Sequence, residues 1–575
     1  MLRLYRFLRP FAAMVAGVLM LVLLQTLGDL YLPTLMADII NQGVMLGDTV
    51  RIIQIGKVML LVAGGVVICA VLAGFLASRT AAGLGTILRS KVFGRVESYS
   101  LNEFDQMGTA TLITRTTNDI NQIQMVTVVI MRMMISAPMM AVGGIIMALR
   151  QDRQLAWVLA VALPVLAVVI GLIVFRVLPL FKLIQLKIDQ INLVLREKLT
   201  GIRVIRAFDT VDYERRRFHE ANVDLTNTYI NVNRIMAFMM PAIMLIMNTT
   251  SVAVLWFGGI FVSTGDMNLG ALAAFTQYTM QIMMSMLMMT FMFVMVPRAQ
   301  TAAARINEVL DLKPEITDPE ETGSVSAGSG LVEFRQVTFT YHGAEMPALR
   351  NISFTARPGE VTAIIGSTGA GKSTLINLIP RFYDIDSGSI LIDGVDVREM
   401  AQENLRAQIG LAPQKAVLFS GTITENIKFG NHRATEEEIR HAVDVARAAE
   451  FIANFDDGFD HRITQGGTNL SGGQKQRLAI ARVLVKKPAV YIFDDSFSAL
   501  DFKTDALLRT ALRKETAAST VIIVAQRVGT VMDADKIIVL DEGRIAGMGT
   551  HKELIKTCAI YREIVSSQLP EEEIA

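Results

Sequence analysis

Nine consecutive residues, Gly366, Ser367, Thr368, Gly369, Ala370, Gly371, Lys372, Ser373 and Thr374, have the types and spacing of a phosphate-binding loop. They match G-x-x-x-x-G-K-[ST] and lie between an apolar run at 361–365 and another at 375–379. That is the strand–loop–helix context the motif requires. In such a loop the backbone N–H groups and the helix N-terminus cradle phosphate oxygens. Lys372 reaches toward the terminal phosphates, and the Ser373 hydroxyl is a ligand for Mg²⁺. The loop therefore predicts binding of a nucleoside triphosphate. Hydrolysis is a separate question, decided by residues elsewhere.

The rest of the chain must position that loop and use it. At 575 residues it is too long for one compact domain. Its 52% hydrophobic content and positive mean hydropathy are too high for a soluble protein of this size. The apolar excess lies in the first half, as expected of a membrane portion followed by a soluble one. A net charge of +1 gives no sign of a nucleic-acid surface. The two cysteines, Cys69 and Cys558, offer neither a disulfide framework nor metal-ligand spacing. Residues 1–10 are basic and amphipathic, and the apolar run after them is too long for a signal-peptide core. They read as a retained interfacial helix.

Six stretches, 11–35, 52–78, 125–149, 155–178, 235–262 and 271–297, can each cross a hydrocarbon core, which takes about 20 helical residues. Short connections alternate with two long polar ones, 79–124 and 179–234, that read as helical. The second is rich in cations, including Arg196, Lys198, Arg203, Arg206 and Arg215–Arg217. By the positive-inside rule both long connections and both chain ends are cytoplasmic. Arg150 and Arg153 in a short outer connection run against the rule, with Asp152 between them. Near the middles of the long connections, 108–119 and 199–208 mix small, polar and apolar residues, as suits turns that dock onto another domain.

Ionisable residues within spans are costly and count as functional candidates. Asp29, Lys57 and Arg132 are such residues. Lys57 can snorkel to the outer interface. Arg132, flanked by apolar residues on both sides, faces either a water-filled cavity or a lipid headgroup. Methionine is over-used, with 32 in the chain, and the sixth span is the richest stretch. Flexible, polarizable methionine suits a wall that repacks around varied apolar ligands. Gln277, Gln281 and Met284 together with Arg132 are the candidates for a substrate cavity, the two glutamines lying one helical turn apart.

After residue 310 the composition shifts to Pro, Glu, Asp, Gly and Ser, a linker over 311–330. From 331 onward short β-rich runs alternate with helical ones, as in an α/β nucleotide-binding domain. Tyr341, before the phosphate loop, is placed to stack on a base. The expected organisation is a six-helix all-α transmembrane domain (1–310), the linker, and an α/β P-loop nucleotide-binding domain (331–575).

At this point the whole chain resembles the ATP-binding cassette exporters, and the order of motifs carries the likeness. Tyr341 corresponds to the adenine-stacking aromatic and is followed by the loop 366–374. Gln414 matches the glutamine that touches Mg²⁺ and couples to the membrane helices. Residues 469–477, Asn-Leu-Ser-Gly-Gly-Gln-Lys-Gln-Arg, are the signature sequence. Asp494 ends an apolar run and matches the Mg²⁺-coordinating aspartate, with Ser373 and Gln414 as companion ligands. Ser498, Ala499, Leu500 and Asp501 match the loop that crosses to the opposite subunit. The resemblance implies two nucleotide domains paired head to tail. Ser471, Gly472, Gly473 and Gln474 then contact ATP held by the partner's phosphate loop. ATP and Mg²⁺ are the implied cofactors.

Two positions depart from that pattern. Where the family usually has the glutamate that polarises the attacking water stands Asp495, and its switch histidine is replaced by Gln526. Aspartate is one methylene shorter, a misplacement of about 1 Å that costs about 10²-fold. Glutamine hydrogen-bonds phosphate but carries neither proton nor charge. Gln465 also stands where many exporters have glutamate. These departures imply the degenerate-site subunit of a heterodimeric, multidrug-type exporter in the cytoplasmic membrane. Its partner is a second, homologous half-transporter, and its cargo is hydrophobic or amphipathic, a drug-like molecule or a lipid. The competing reading is an ATP-gated channel or regulatory subunit. An importer fits less well, because spans and nucleotide domain are fused with the spans first.

Overall fold

The computed structural model describes residues 1, 3–319 and 328–568, and the side chains of 293 and 294 are outside that description. The expected linker thus lies partly outside the described residues. The chain divides into two compact units, one of Met1–Glu97 with Thr109–Leu312, the other of Ser98–Gly108 with Lys313–Ala575.

The first unit is all-helical. After a short helical run at Leu4–Phe11 come α1 (Ala12–Asp38) and α2 (Thr49–Glu97). A brief excursion, α3 (Leu101–Met107), belongs to the second unit. The chain then continues through α4 (Thr109–Thr114), α5 (Ile120–Gln151), α6 (Ala156–Thr200), α7 (Ile202–Ala207), α8 (Val211–Thr264) and α9 (Leu269–Asp311). Among the described residues, six helices are long and apolar enough to span a membrane. A helix satisfies its own backbone, the condition for crossing hydrocarbon. Side chains such as Leu60, Leu61, Phe175 and Trp256 are accordingly well exposed on its outer faces. Inside, Tyr278 is fully buried and ties α9 to α1, its hydroxyl 2.7 Å from that of Thr34 and 2.8 Å from the Leu30 carbonyl. Nearer the chain's polar extensions, the Arg305 guanidinium donates to both oxygens of buried Asp119, at 2.8 Å through Nε. That bidentate pairing fixes α9 against the start of α5.

The second unit holds two main sheets. The antiparallel one has the order β2 (Leu349–Ala356), β1 (Val332–Phe339), β4 (Ser387–Ile392) and β5 (Val395–Asp396). The other has the order β12 (Arg544–Gly549), β11 (Lys536–Asp541), β3 (Val361–Gly366), β10 (Thr520–Val524), β9 (Val490–Asp494) and β6 (Ile409–Ala412). Every pairing in it is parallel except that of edge strand β12 with β11. A small pair, β7 (Gly421–Thr422) with β8 (Arg462–Ile463), lies apart. Strands β9 and β10 are buried throughout, because helices cover both faces of a parallel sheet. Those helices include α10 (Lys372–Leu378), α11 (Gln402–Ala407), α12 (Ile423–Lys428), α13 (Glu436–Val445), α14 (Ala449–Ile452), α15 (Gly472–Lys486), α16 (Phe502–Glu515), α17 (Val528–Val531), α18 (His551–Thr557) and α19 (Ala559–Ser566).

The first cytoplasmic turn lies upstream of its expected place at 108–119. Thr109 already begins α4, and the segment that packs with the second unit is Ser98–Gly108. The reason is local. Ser100 and Glu103 form a capping box that starts α3, and Gly108 ends it with φ of 73°. Glu103, 4% exposed, also accepts the Glu315 backbone N–H at 3.0 Å. Asp105 lies close enough to Tyr383 to help burial push that phenol up to about 12. Within the second expected turn, 199–208, Gly201 separates α6 from α7.

Candidate nucleotide site

In a parallel sheet the loops after the strands converge at one edge, and ligands bind there. Here β3, β6, β9 and β10 run parallel, and the residues just past their C-terminal ends are the phosphate loop, Gln414, Asp495 and Gln526. Side chains over 150 residues apart in sequence thus meet by topology alone. They enclose a cavity of about 330 Å³ whose walls include Tyr341, Lys372, Ser373, Gln414, Asp494, Asp495 and Gln526.

The loop has the backbone its glycines permit. Gly369 and Gly371 have φ of 88° and 96°, the left-handed region that side chains resist. At Gly371 a Cβ would also come within 2.8 Å of Leu349 and 2.9 Å of the Ala348 carbonyl. Lys372 begins α10 and is 8% exposed. Its ammonium donates to the Gly366 and Ser367 carbonyls at 2.8 and 2.7 Å, which holds the charge over the loop. Burial lowers its pKa, and the nearby Asp494 and Asp495 oppose that shift. Ser373 donates to Asp494 at 3.4 Å. Tyr341 sits edge-on to Phe339 and Tyr383, with its hydroxyl 3.0 Å from that of Thr374.

Two carboxylates stand side by side at the end of β9. Burial raises the pKa of both, and the proximity of Asp495 adds to the shift at Asp494. Asp495 has φ of 44°, a left-handed conformation that aspartate tolerates better than most residues. Its backbone N–H bonds the Val524 carbonyl at 2.8 Å, and Ser498 Oγ donates to its carbonyl at 2.9 Å. Gln414 reaches its carboxylate only at 3.5 Å. The hydroxyl, amide and carboxylate oxygens of Ser373, Gln414 and Asp494 form a hard donor set beside a phosphate loop, which fits Mg²⁺.

Several contacts here carry no motif. Gln568, just past α19, braces the backbone that carries Gln526: its Nε2 donates to the Gln526 carbonyl at 2.9 Å and its Oε1 accepts from Val528 N–H at 2.8 Å. Arg527 donates to the Ser498 carbonyl at 3.1 Å, joining the loops after β10 and β9. Sequence reading missed both.

The signature lies elsewhere on the unit. Ser471 caps α15 in a capping box with Gln474, their reciprocal bonds measuring 2.8 and 3.3 Å. Ser471 and Gly472 are exposed, and neither they nor Gly473 line the cavity. Buried Gln476 accepts from Ala499 N–H at 3.2 Å, bracing the loop 498–501 against the signature helix. Gln465 is exposed in a short turn at Gln465–Gly467.

Residues 15–286 match the ABC transporter transmembrane region, and residues 349–498 match the ABC transporter family. This chain belongs to the ABC transporters. It is similar to an uncharacterized ABC transporter ATP-binding protein of Mycobacterium tuberculosis, at 46% identity over 98% of this chain and 97% of the relative. A fatty acid ABC transporter ATP-binding/permease protein of Mycobacterium bovis is 34% identical over 83% of this chain and 75% of its own length. The solved structure of a bacterial Atm1-family ABC exporter with ATP bound superposes with a TM-score of 0.81 at 26% identity, covering 97% of this chain and 99% of that one. The chain is thus an ABC exporter half-transporter: an ATP-binding, ATP-hydrolysing, multi-pass membrane protein whose nucleotide unit is cytoplasmic.

In the transporter's membrane unit a second cavity, of about 250 Å³, opens among α1, α5 and α9. Arg132 lines it; Gln277, Gln281 and Met284 do not. Gln281 instead donates to the Asp29 carbonyl at 3.1 Å, a bond between α9 and α1. Gln277 and Met284 are exposed on α9, and Lys57 is exposed on α2.

Proposed function

We propose that this chain is the degenerate-site half of a heterodimeric ATP-driven exporter in the cytoplasmic membrane. Its partner is a homologous half-transporter with the usual glutamate and histidine, and its cargo is hydrophobic or amphipathic. The observation that carries this reading is the 330 Å³ cavity, whose wall brings Lys372, Ser373 and Thr374 of the phosphate loop together with Asp495 and Gln526. In the proposed site Lys372 and the loop amides hold the β- and γ-phosphates, and Tyr341 stacks on adenine. Ser373, Gln414 and Asp494 hold Mg²⁺, which would neutralise charge on the phosphates when bound. Asp495 is set back from a water that glutamate would reach, and Gln526 hydrogen-bonds the γ-phosphate without exchanging a proton. ATP is therefore held here and hydrolysed slowly.

The signature serves the other site. The exposed N-terminus of α15 presents backbone N–H groups and the Ser471 hydroxyl to phosphate, as a helix N-terminus favours. In the heterodimer that phosphate belongs to the partner's ATP. Closure of the nucleotide units then switches the membrane cavity outward. The exposed apolar side chains Leu199, Val204 and Phe208 at the second cytoplasmic turn support docking onto a partner surface. The methionine-rich α9 and the fatty acid relative support amphipathic cargo.

Isolation of the transporter through a tag on this chain tests the pairing. The expected companion is a second six-span cassette protein with glutamate and histidine at the two positions. A homodimer of this chain with full ATP turnover would contradict the reading.

A further inference from the structure

The cavity among α1, α5 and α9 has a lopsided chemistry. Val128, Val129 and Met288 make its walls apolar, while Gln25, Ser136 and Arg132 are its polar lining residues. Arg132 is the one charged residue lining it. The ion pairs of this unit, among the described residues, join Arg3, Arg115, Lys187, Arg215, Arg217 and Arg305 to carboxylates, and Arg132 is not among them. Asp29, the acidic residue in the α1 span, does not line the cavity. Room for the guanidinium is built in. It passes Gly74 of α2, where even a Cβ would sit 3.7 Å from Nη1, and beside Gly74 the small residues Ala73 and Ala77 let α2 pack closely.

Position adds to the argument. Arg132 lies seven residues into the apolar stretch 125–149, about 10 Å along the helix from its cytoplasmic end. A cation at that depth is expensive and needs an anionic or aqueous partner. An apolar-walled chamber with one fixed cation and two neutral hydrogen-bonding groups matches a molecule with a hydrocarbon body and an anionic head. A neutral amphiphile would leave the guanidinium unpaired, and a cationic one would be repelled by it.

We infer that the cavity takes an anionic amphiphile from the inner leaflet, its carboxylate or phosphate head held by Arg132 with Ser136 and Gln25 as hydrogen-bonding neighbours, and its chain lying along Val128, Val129 and Met288. The inference rests on the exporter reading and narrows its substrate class. The anion has two sources, a single-chain amphiphile free to exchange with water or a two-chain membrane phospholipid. Both present the same head chemistry to the site.

The test uses the transporter isolated through a tag on this chain and reconstituted in zwitterionic nanodiscs. Binding is read by displacement of a fluorescent fatty acid. The competitors share a twelve-carbon chain and differ only in head: carboxylate, phosphate, maltoside or trimethylammonium. Dioleoyl phosphatidate is added as the two-chain competitor. The two anionic heads should compete best. Arg132→Gln should weaken them by about ten- to hundred-fold, the cost of one charge-assisted contact, and leave the maltoside unchanged. Arg132→Lys should recover much of the loss, which a merely structural role would not allow. Competition by phosphatidate assigns the source to the membrane, and its failure beside a competing dodecyl phosphate assigns it to single chains; either outcome supports the inference. Equal competition by all four heads would overturn it, as would an Arg132→Gln effect that ignores the head. ATP-driven movement of the bound amphiphile is scored separately, so an exporter failure is distinguishable from a failure of anion recognition.

Discussion

At the N-terminus of α15 the signature keeps Ser471, Gly472 and Gly473, with the serine capped and exposed. At the ends of β9 and β10, in the same unit, the two positions proposed as catalytic hold Asp495 and Gln526. Both regions are equally well built. The signature helix is braced through Gln476 to the loop 498–501, and the switch loop through Gln568 to α19. The difference lies in a missing methylene and a missing titratable ring. On the proposed function, the fold keeps the frame of an ATP site while the chemistry passes to a partner, and changes at two positions separate holding ATP from cleaving it.

The sharpest break of this comparison is at the signature. Ser471→Ala combined with Gly473→Asp should cut the ATPase of the assembled transporter by about 10²-fold or more, as for loss of aligned transition-state donors. A Cβ at Gly473 already meets the Ala499 carbonyl at 3.0 Å, so Ser471→Ala alone is the control for a packing effect. Lys372→Ala should come next. It should weaken nucleotide binding at this chain's own site, read with a fluorescent ATP analogue, while the complex keeps substantial turnover. Complete loss of turnover would make this site the main engine.

Smaller effects sharpen the picture of the frame. Gln568→Ala removes two hydrogen bonds to the backbone at 526–528, and each is worth about 0.5–1.5 kcal/mol. Amide exchange over 526–528 should quicken, and nucleotide affinity should fall several-fold with little change at the signature. Asp495→Asn should stabilise the nucleotide-free chain slightly. Burial holds the Asp495 pKa above its ordinary 3.8, so the folded state binds the proton more tightly than the unfolded one. Stability from this group is therefore full at acid pH and lost as pH rises from 3.8 through the raised value. Asparagine also suits a φ of 44°. Thermal unfolding should show a small gain at neutral pH, limited by partial exposure, that shrinks as pH is lowered toward 4. A gain that grows on acidification would contradict the sign.

Much of this was legible in the sequence where chemistry is local. The apolar runs flanking 366–374 became β3 and α10, and five of the six apolar stretches lie within the spanning helices, the fourth overrunning its helix start by Leu155 alone. The first turn lies upstream of the small and polar residues at 108–119 because Ser100 followed by Glu103, a capping box legible in the sequence, starts α3 there. Gln568 and Arg527 were invisible for a different reason. Their partners are backbone carbonyls and N–H groups, which every residue possesses, so no residue type marks the pairing. Gln281 looked like a cavity residue by its periodicity, yet a glutamine on that face is equally able to bond a neighbouring helix, as it does with α1.

The central claim is that Asp495 and Gln526 alone limit this chain's own site. ATP turnover of the purified lone chain, compared with its Asp495→Glu, Gln526→His double variant, tests it most directly. The account predicts near-background hydrolysis by the chain as it stands and a rise of about 10²-fold in the variant. Turnover by the unaltered lone chain equal to that of the assembled transporter, unchanged by the two substitutions, would contradict it.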